Sequence, residues 1–256
     1  MRPLRYLLFL LSAVCLTVTA SPNKPKLSPE ALKAKADSAY LNNDYKSAAE
    51  HYEQLLGEGV DVEALYNLGN AYYRLANLPK AILCYERTLR YAPSHEDAAY
   101  NLHACQAKAG IPQNPSGGMF FVVWAKDEIY GHSADEWALR ALVAFAVAGV
   151  ALLLSHRLSR RWLRLSLRLL MSLAVVVMVA SIISAALARH AFTSNSRAVV
   201  MQPTDVTDES GRKLPTPLLP GQTVETGEKS GKNKTAITTL DGKVNGWADS
   251  RSLEAI

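Results

Sequence analysis

Residues 36–56 and 69–89 carry the same order of small and aromatic side chains, displaced by 33 residues: Ala36 matches Gly69, Ala48 matches Ala81, and Tyr52 matches Tyr85. A period of that length is the length of one helical hairpin. Such a unit cannot bury its apolar face alone and must stack on a neighbour. In the clearer copy, Val62–His95, Leu65, Leu68 and Tyr72 recur at helical spacing in the first half. Ile82, Tyr85 and Leu89 do so in the second. Gly69 and Ala81 stand where the two antiparallel helices are expected to approach most closely. Asn77-Leu78-Pro79 predicts the turn, with Pro79 in the first turn of the second helix and Pro93 ending it. Upstream, Ser28-Pro29-Glu30 predicts a helix start with Ser28 as N-cap, and Gly57-Glu58-Gly59 predicts the end of the copy.

A further helix is expected over Glu96–Ala109, capped by Ser94, in which Tyr100-Asn101-Leu102 repeats Tyr66-Asn67-Leu68. The spacing of these copies resembles tetratricopeptide repeats, with the last helix covering the second hairpin. That resemblance implies a concave surface that holds another protein. It places Asp37, Tyr40, Tyr66, Asn70, Tyr73, Arg74 and Tyr100 on that surface, and Gly69, Ala81, Ala36 and Ala48 at the repeat-packing positions. Tyrosines suit such a face, offering large rigid area with a polar tip. Lys33 and Asn67 match two places of a carboxylate clamp, but Asp37 and Asp97 stand where Asn and Lys are needed. No clamp for a carboxylate tail is therefore expected.

The hydrophobic fraction of 49% is unevenly placed. Residues 1–20 read as a signal peptide, with Arg2 and Arg5 ahead of an apolar run and Val18-Thr19-Ala20 before a cut at Ser21. Cys15 is a weak lipoprotein signal, because Val14 precedes it where a small residue is wanted. Removing this segment takes away two Arg and no acid, lowering the net charge from +5 to +3. Residues 137–155 and 169–188 are long enough to cross the ~30 Å hydrocarbon core of a bilayer. Between them, Arg157, Arg160, Arg161, Arg164 and Arg168 crowd one stretch. By the positive-inside rule this stretch is cytoplasmic, which puts the repeats and the C-terminal segment outside. The high pI thus describes topology rather than a nucleic-acid surface. Neither span carries a central Asp, Glu, Lys or His, which argues against a transport path. Ser133 and Glu136 form a capping-box pattern at the start of the first span. Met119–Trp124 is too short to span and is expected at the interface.

Residues 198–256 hold short β-type runs at Ala198–Met201, Gln222–Thr226, Thr235–Thr239 and Val244–Ala248, with Asp241-Gly242 as a hairpin turn. The ending DGKVNGWADSRSLEAI resembles bacterial SH3-like domains, in which Gly-Trp starts the last strand. Gly221 and Val224 fit the same pattern. This copy lacks the aromatic expected before the third run, and Trp247 is expected in the core rather than as a ligand platform.

The expected fold is multidomain. A signal peptide (1–20) precedes all-α TPR helical hairpins (28–109) and a linker with an interfacial segment (110–136). A two-helix transmembrane hairpin follows (137–155 and 169–188), joined by an Arg-rich loop (156–168). A small all-β SH3-like barrel (198–256) ends the chain. This order, with ADSAY, YNLGNAYY and DGKVNGW, resembles the BatE-type members of the Bat aerotolerance family. The resemblance implies an inner-membrane protein with periplasmic domains. Its implied partners are other Bat-type membrane proteins bearing von Willebrand A-type domains. Peptidoglycan is the alternative ligand, through the SH3-like domain.

No catalytic arrangement, phosphate loop or metal spacing is visible, so no enzyme, cofactor, metal, nucleic acid or small-molecule substrate is expected. His103 and Cys105 lie two apart on one helix, facing different ways. Cys84 and Cys105 lie close in the expected stack, either as one disulfide or as two small buried thiols.

Overall fold

The computed structural model describes residues 27–111, 124–125, 128–193, 196–231 and 233–256. The expected signal peptide and most of the expected linker and interfacial run lie outside these residues. Five helices come first: α1 (Pro29–Leu41), α2 (Tyr45–Leu56), α3 (Val62–Arg74), α4 (Leu78–Tyr91) and α5 (Glu96–Lys108). Neighbours in sequence pack as antiparallel hairpins in one continuous core. The two copies agree at their turns in atomic detail. Ser28 and Asp61 cap α1 and α3, and Asp44 and Asn77 cap α2 and α4, each side chain accepting a main-chain N–H three residues on. Asn43 (φ 60°) and Ala76 (φ 59°) occupy the left-handed region at equivalent places. Each turn closes with the same pair of bonds: Asn43 N to Tyr40 O and Asp44 N to Ala39 O, then Ala76 N to Tyr73 O and Asn77 N to Tyr72 O.

Ala36, Ala48 and Ala81 are fully buried. Gly69 is buried for a different reason than helix–helix approach alone. A Cβ there would lie 2.7 Å from Cε1 of Tyr85, so the tyrosine ring rests on bare backbone. Helix α4 ends at Tyr91, two residues before Pro93, as the restriction ahead of proline requires. The cap of α5 differs from the sequence expectation. His95, not Ser94, accepts from Ala98 N, at 3.2 Å through Nδ1. Ser94 is one residue too early for this and donates instead to Glu136.

Two long helices follow, α6 (Ala134–Arg157) and α7 (Arg161–Thr193), both long and apolar enough to cross a membrane. The capping box at α6 forms, with Ser133 and Glu136 each bonded to the other's main-chain N–H. The helices meet along small residues: Ala141, Ala144, Ala148, Ala151 and Ser155 on α6, and Ala174, Ser181, Ser184 and Ala188 on α7. Leu142, Phe145, Leu153, Val176 and Ile183 point outward. The Arg-rich stretch is mostly not a loop. Only residues 158–160 are non-helical, and Arg161, Arg164 and Arg168 belong to the first turns of α7. Arg and Leu are strong helix formers and nothing in RWLRLSLR interrupts them, so the helix extends well beyond its apolar part.

The remainder is a five-stranded antiparallel sheet of β1 (Arg197–Val200), β2 (Thr223–Ser230), β3 (Lys234–Thr239), β4 (Asn245–Asp249) and β5 (Leu253–Ala255), in the order β4-β3-β2-β1-β5. Gly-Trp opens β4 rather than the last strand. A 3-10 turn (Ser250–Ser252) and β5 come after it. Sequence pattern misses β5 because three residues are too few for an alternation to stand out. Gly246 is required by contact: a Cβ would sit 2.6 Å from Thr207 O, in the long segment joining β1 to β2. That segment pairs there through two bonds between Thr207 and Trp247, and Trp247 is half-buried. Gly242 closes the β3–β4 turn in the left-handed region, at φ 69°.

The sheet packs on α4. Val199 of β1 joins the helical core, with Met201 and Ile256 beside it. Glu86, 7% exposed, accepts from Thr223 Oγ1 at 2.9 Å and pairs with Arg197 at 3.4 Å. Arg87 donates to Ala255 O and pairs with Glu254. Arg90 donates to Ile256 O and to Phe192 O at the end of α7, with its guanidinium over the Phe192 ring. Together with Ser94 to Glu136, these bonds hold the repeat to both ends of the α6–α7 hairpin remote from its turn.

Candidate protein-binding face

The face is built by α1, α3 and α5, the first helix of each hairpin and the covering helix. The repeat dictates its skeleton. In each copy a buried tyrosine of the second helix reaches a polar residue of the first: Tyr52 OH donates to Asp37 Oδ1 (2.5 Å), and Tyr85 OH donates to Asn70 Oδ1 (2.7 Å). Burial pushes both phenols well above their ordinary range, Tyr52 with the help of the Asp37 carboxylate. Asp37 and Asn70 are thereby engaged within the stack. Asn101 of α5 donates to Asn70 (3.1 Å) and to Tyr66 OH (3.3 Å), tying α5 to α3. Tyr66 is half-buried between the rings of Tyr85 and His95.

At the first hairpin, Arg74 lies over the Tyr45 ring with 4.8 Å to its centroid and donates to its hydroxyl. Tyr40 meets the same ring edge-on at 5.2 Å. Tyr40 and Arg74 are therefore joined through Tyr45, a residue that sequence reasoning passed over because it follows the turn. Tyr73 is 37% exposed, with the Lys108 ammonium 4.7 Å from its ring centroid. Tyr100 is 74% exposed on α5. Such a side chain offers a partner a large rigid surface with a polar tip.

Of the seven expected residues, Tyr100 projects freely, Tyr73 is partly exposed with Lys108 over its ring, and Tyr40, Tyr66 and Arg74 present partial surface. Asp37 and Asn70 serve mainly to orient the tyrosines behind them. Asn101 and Lys108 belong to the same face. Asn101 was signalled by the repeated Tyr-Asn-Leu, whereas Lys108 carried no signal.

Behind the face, Tyr72 OH donates to Glu53 and accepts from Lys80 at 2.9 Å, bridging the hairpins. Burial, then the Glu53 carboxylate, push this phenol up to about 12. Lys33 of α1 pairs with Glu63 of α3. Cys84 and Cys105 are free and buried. Burial pushes the Cys84 thiol up to about 12 and that of Cys105 up to about 11, disfavouring the reactive thiolate. Among the described residues no group of three or more His, Cys, Asp or Glu could hold a metal ion. The five arginines belong to other elements. Arg157 ends α6, Arg160 lies in the turn, Arg161, Arg164 and Arg168 follow on α7, and all are exposed.

A tetratricopeptide repeat model matches residues 62–95, the clearer of the two copies. No curated protein matches the chain. The helical region thus contains a tetratricopeptide repeat, a module that serves protein–protein interaction.

Proposed function

We propose that the chain is a non-catalytic, membrane-anchored scaffold that holds partner proteins on its α1–α3–α5 face. The observation that carries the reading is the exposure of Tyr73, on the matched repeat, and of Tyr100, on the helix that covers it. Such aromatics anchor partners in well-packed interfaces. The α6–α7 hairpin is the anchor. Its small inward and large outward side chains suit lipid rather than water, and the arginines at its turn suit the cytoplasmic side. The repeats and the sheet then face the periplasm of a bacterial inner membrane. By its resemblance to BatE-type proteins, the partners are Bat-type membrane proteins with von Willebrand A-type domains, acting in aerotolerance or envelope stress.

Affinity purification of the full-length protein in gentle detergent, beside Tyr73→Ala/Tyr100→Ala, tests this. Neither ring belongs to the buried core, so the variant keeps its fold. The expected result is a set of membrane proteins lost only from the variant. The same set in both preparations would move the interface elsewhere.

The second reading is cell-wall binding through an SH3-like C-terminal domain. Supporting it are the strand order, the long β1–β2 segment and the 3-10 turn before β5. A polar cleft lined by Gln202, Thr204, Asp205, Asp249, Arg251 and Ser252 lies between that segment and that turn. Co-sedimentation of the solubilised protein with peptidoglycan sacculi is its expected consequence, and failure to sediment would remove it.

A further inference from the structure

We infer that the α6–α7 turn is a binding site for anionic phospholipid headgroups, formed by Arg157, Arg160, Arg161, Arg164 and Arg168. The inference rests on the reading of the hairpin as a membrane anchor.

The first observation is charge without a counter-ion. From Trp137 to Thr204 the sequence contains no Asp or Glu. Among the described residues none of the five arginines pairs with a carboxylate. Arg164 donates to the main-chain oxygen of Ser159 at 3.1 Å, leaving most of its fork open. Elsewhere the chain pairs its exposed basic residues repeatedly, as at Lys33–Glu63, Lys80–Glu53, Arg140–Glu128 and Arg251–Asp249. At the α6–α7 turn five arginines crowd together without such a partner.

The second observation is geometry. Arg161, Arg164 and Arg168 are spaced i, i+3, i+7 and share one face of α7. Trp162, Leu165 and Leu169 form a neighbouring stripe, and both stripes point away from α6. A soluble anion needs only the first stripe. A phospholipid uses both, with its phosphate over the guanidinium forks and its glycerol and upper acyl chain along Trp162 and the leucines.

The third is chemical type. Every basic side chain between Trp137 and Thr204 is Arg or His, with no Lys. Charge alone would satisfy topology with either residue. The planar guanidinium adds bidentate recognition of phosphate oxygens. Clusters of four or more basic residues immediately cytoplasmic of a span attract acidic lipids, each worth about fivefold in preference.

The test uses full-length protein in detergent, supplied with equal phosphatidylcholine and phosphatidylglycerol, with retained lipids counted by native mass spectrometry. The expected result is selective retention of phosphatidylglycerol, falling about fivefold per residue in Arg161→Gln/Arg164→Gln/Arg168→Gln. Arg189→Gln, at the opposite end of α7, leaves retention unchanged. Replacement of the three by Lys gives an intermediate preference. Glutamine keeps the helix propensity and the changed side chains are exposed, so folding is preserved. Equal retention of both lipids by the wild type, or undiminished selectivity in the triple Gln variant, overturns the proposal. So does loss of a co-purifying membrane protein in that variant with lipid retention unchanged, because the occupant is then an acidic protein segment. Flotation with vesicles of either lipid separates the two readings. A protein that floats with neither is no membrane anchor, whereas one that floats with both yet retains them equally fails only the lipid inference.

Discussion

The antiparallel pair of helices occurs in this chain in two forms, built by opposite rules. In the α3–α4 hairpin, large side chains fill the interior. Tyr85 and Tyr72 are buried, and the tyrosine ring lies on the bare backbone of Gly69. In the α6–α7 hairpin, alanine and serine fill the interior and the large side chains point out: Ala151 is 2% exposed and Leu153 69%. In water, burying large apolar groups drives the pairing. In lipid that force is absent, and close approach of small residues takes its place. The contrast supports the proposal that α6–α7 is a membrane anchor beneath a water-facing repeat.

The largest effect that separates the two hairpins is expected at Tyr85. Tyr85→Ala removes a buried ring and leaves a cavity, costing ~3–5 kcal/mol. Chemical denaturation followed by the helical signal of the repeats checks this. A loss below ~1 kcal/mol would mean that the ring does not hold the hairpin.

The converse substitution tests the other pair. Ala151→Leu, which would be harmless on a lipid-facing position, is expected to force α6 from α7 at a cost of ~1–3 kcal/mol. Leu153→Ala is expected to change helix pairing by no more than ~0.5 kcal/mol, within the range of surface changes. Steric trapping of the hairpin in detergent measures both, and reversal of the order would break the comparison.

A smaller effect is expected at the repeat turns. Ala76 carries a Cβ in the left-handed region where its counterpart is Asn43. Relieving that strain with Ala76→Gly is expected to stabilise the repeats by about 1 kcal/mol. A melting temperature that falls instead would contradict the turn geometry.

The last effect is a pH dependence that appears only in alkali. The Tyr72 phenol is raised from its ordinary value of 10 to about 12, by burial and then by Glu53. A raised value means that the neutral form is the one the fold stabilises. Its contribution is therefore complete below pH 10 and lost as pH rises to 12. The melting temperature should fall over that window, and Tyr72→Phe should flatten the fall.

How much of this was legible in the sequence follows from the range over which each feature acts. The hairpins were legible because a 33-residue displacement and helical spacing are local patterns. So were Ser28 and Pro29, Asn77 and Pro79, and the Ser133/Glu136 box. The cap of α5 was not, since histidine at that place competes with a serine one residue earlier. The arginine stretch has the composition of a charged loop, yet its strong helix formers continue α7. The seating of the sheet on α4 had no signal at all. Glu86, Arg87 and Arg90 read as ordinary exposed charges on a helix, and only the fold brings Thr223, Arg197, Ala255 and Ile256 to them. On the candidate face, the residue types were legible in Tyr40, Tyr66, Tyr73 and Tyr100. The engagement of Asp37 and Asn70 by buried tyrosines was not, because it crosses from one helix to the next.

Membrane topology is the most direct test of the scaffold reading. Ser159 in the α6–α7 turn and Ser210 in the β1–β2 segment are both exposed and lie outside the elements of the candidate face. Ser159→Cys and Ser210→Cys would be treated separately, in intact spheroplasts, with a membrane-impermeant maleimide. Buried Cys84 and Cys105 supply a silent background. The account expects Ser210→Cys to label from outside and Ser159→Cys only after lysis. Labelling of Ser159→Cys from outside, or protection of Ser210→Cys, would contradict a hairpin that spans the membrane with its repeats displayed beyond it.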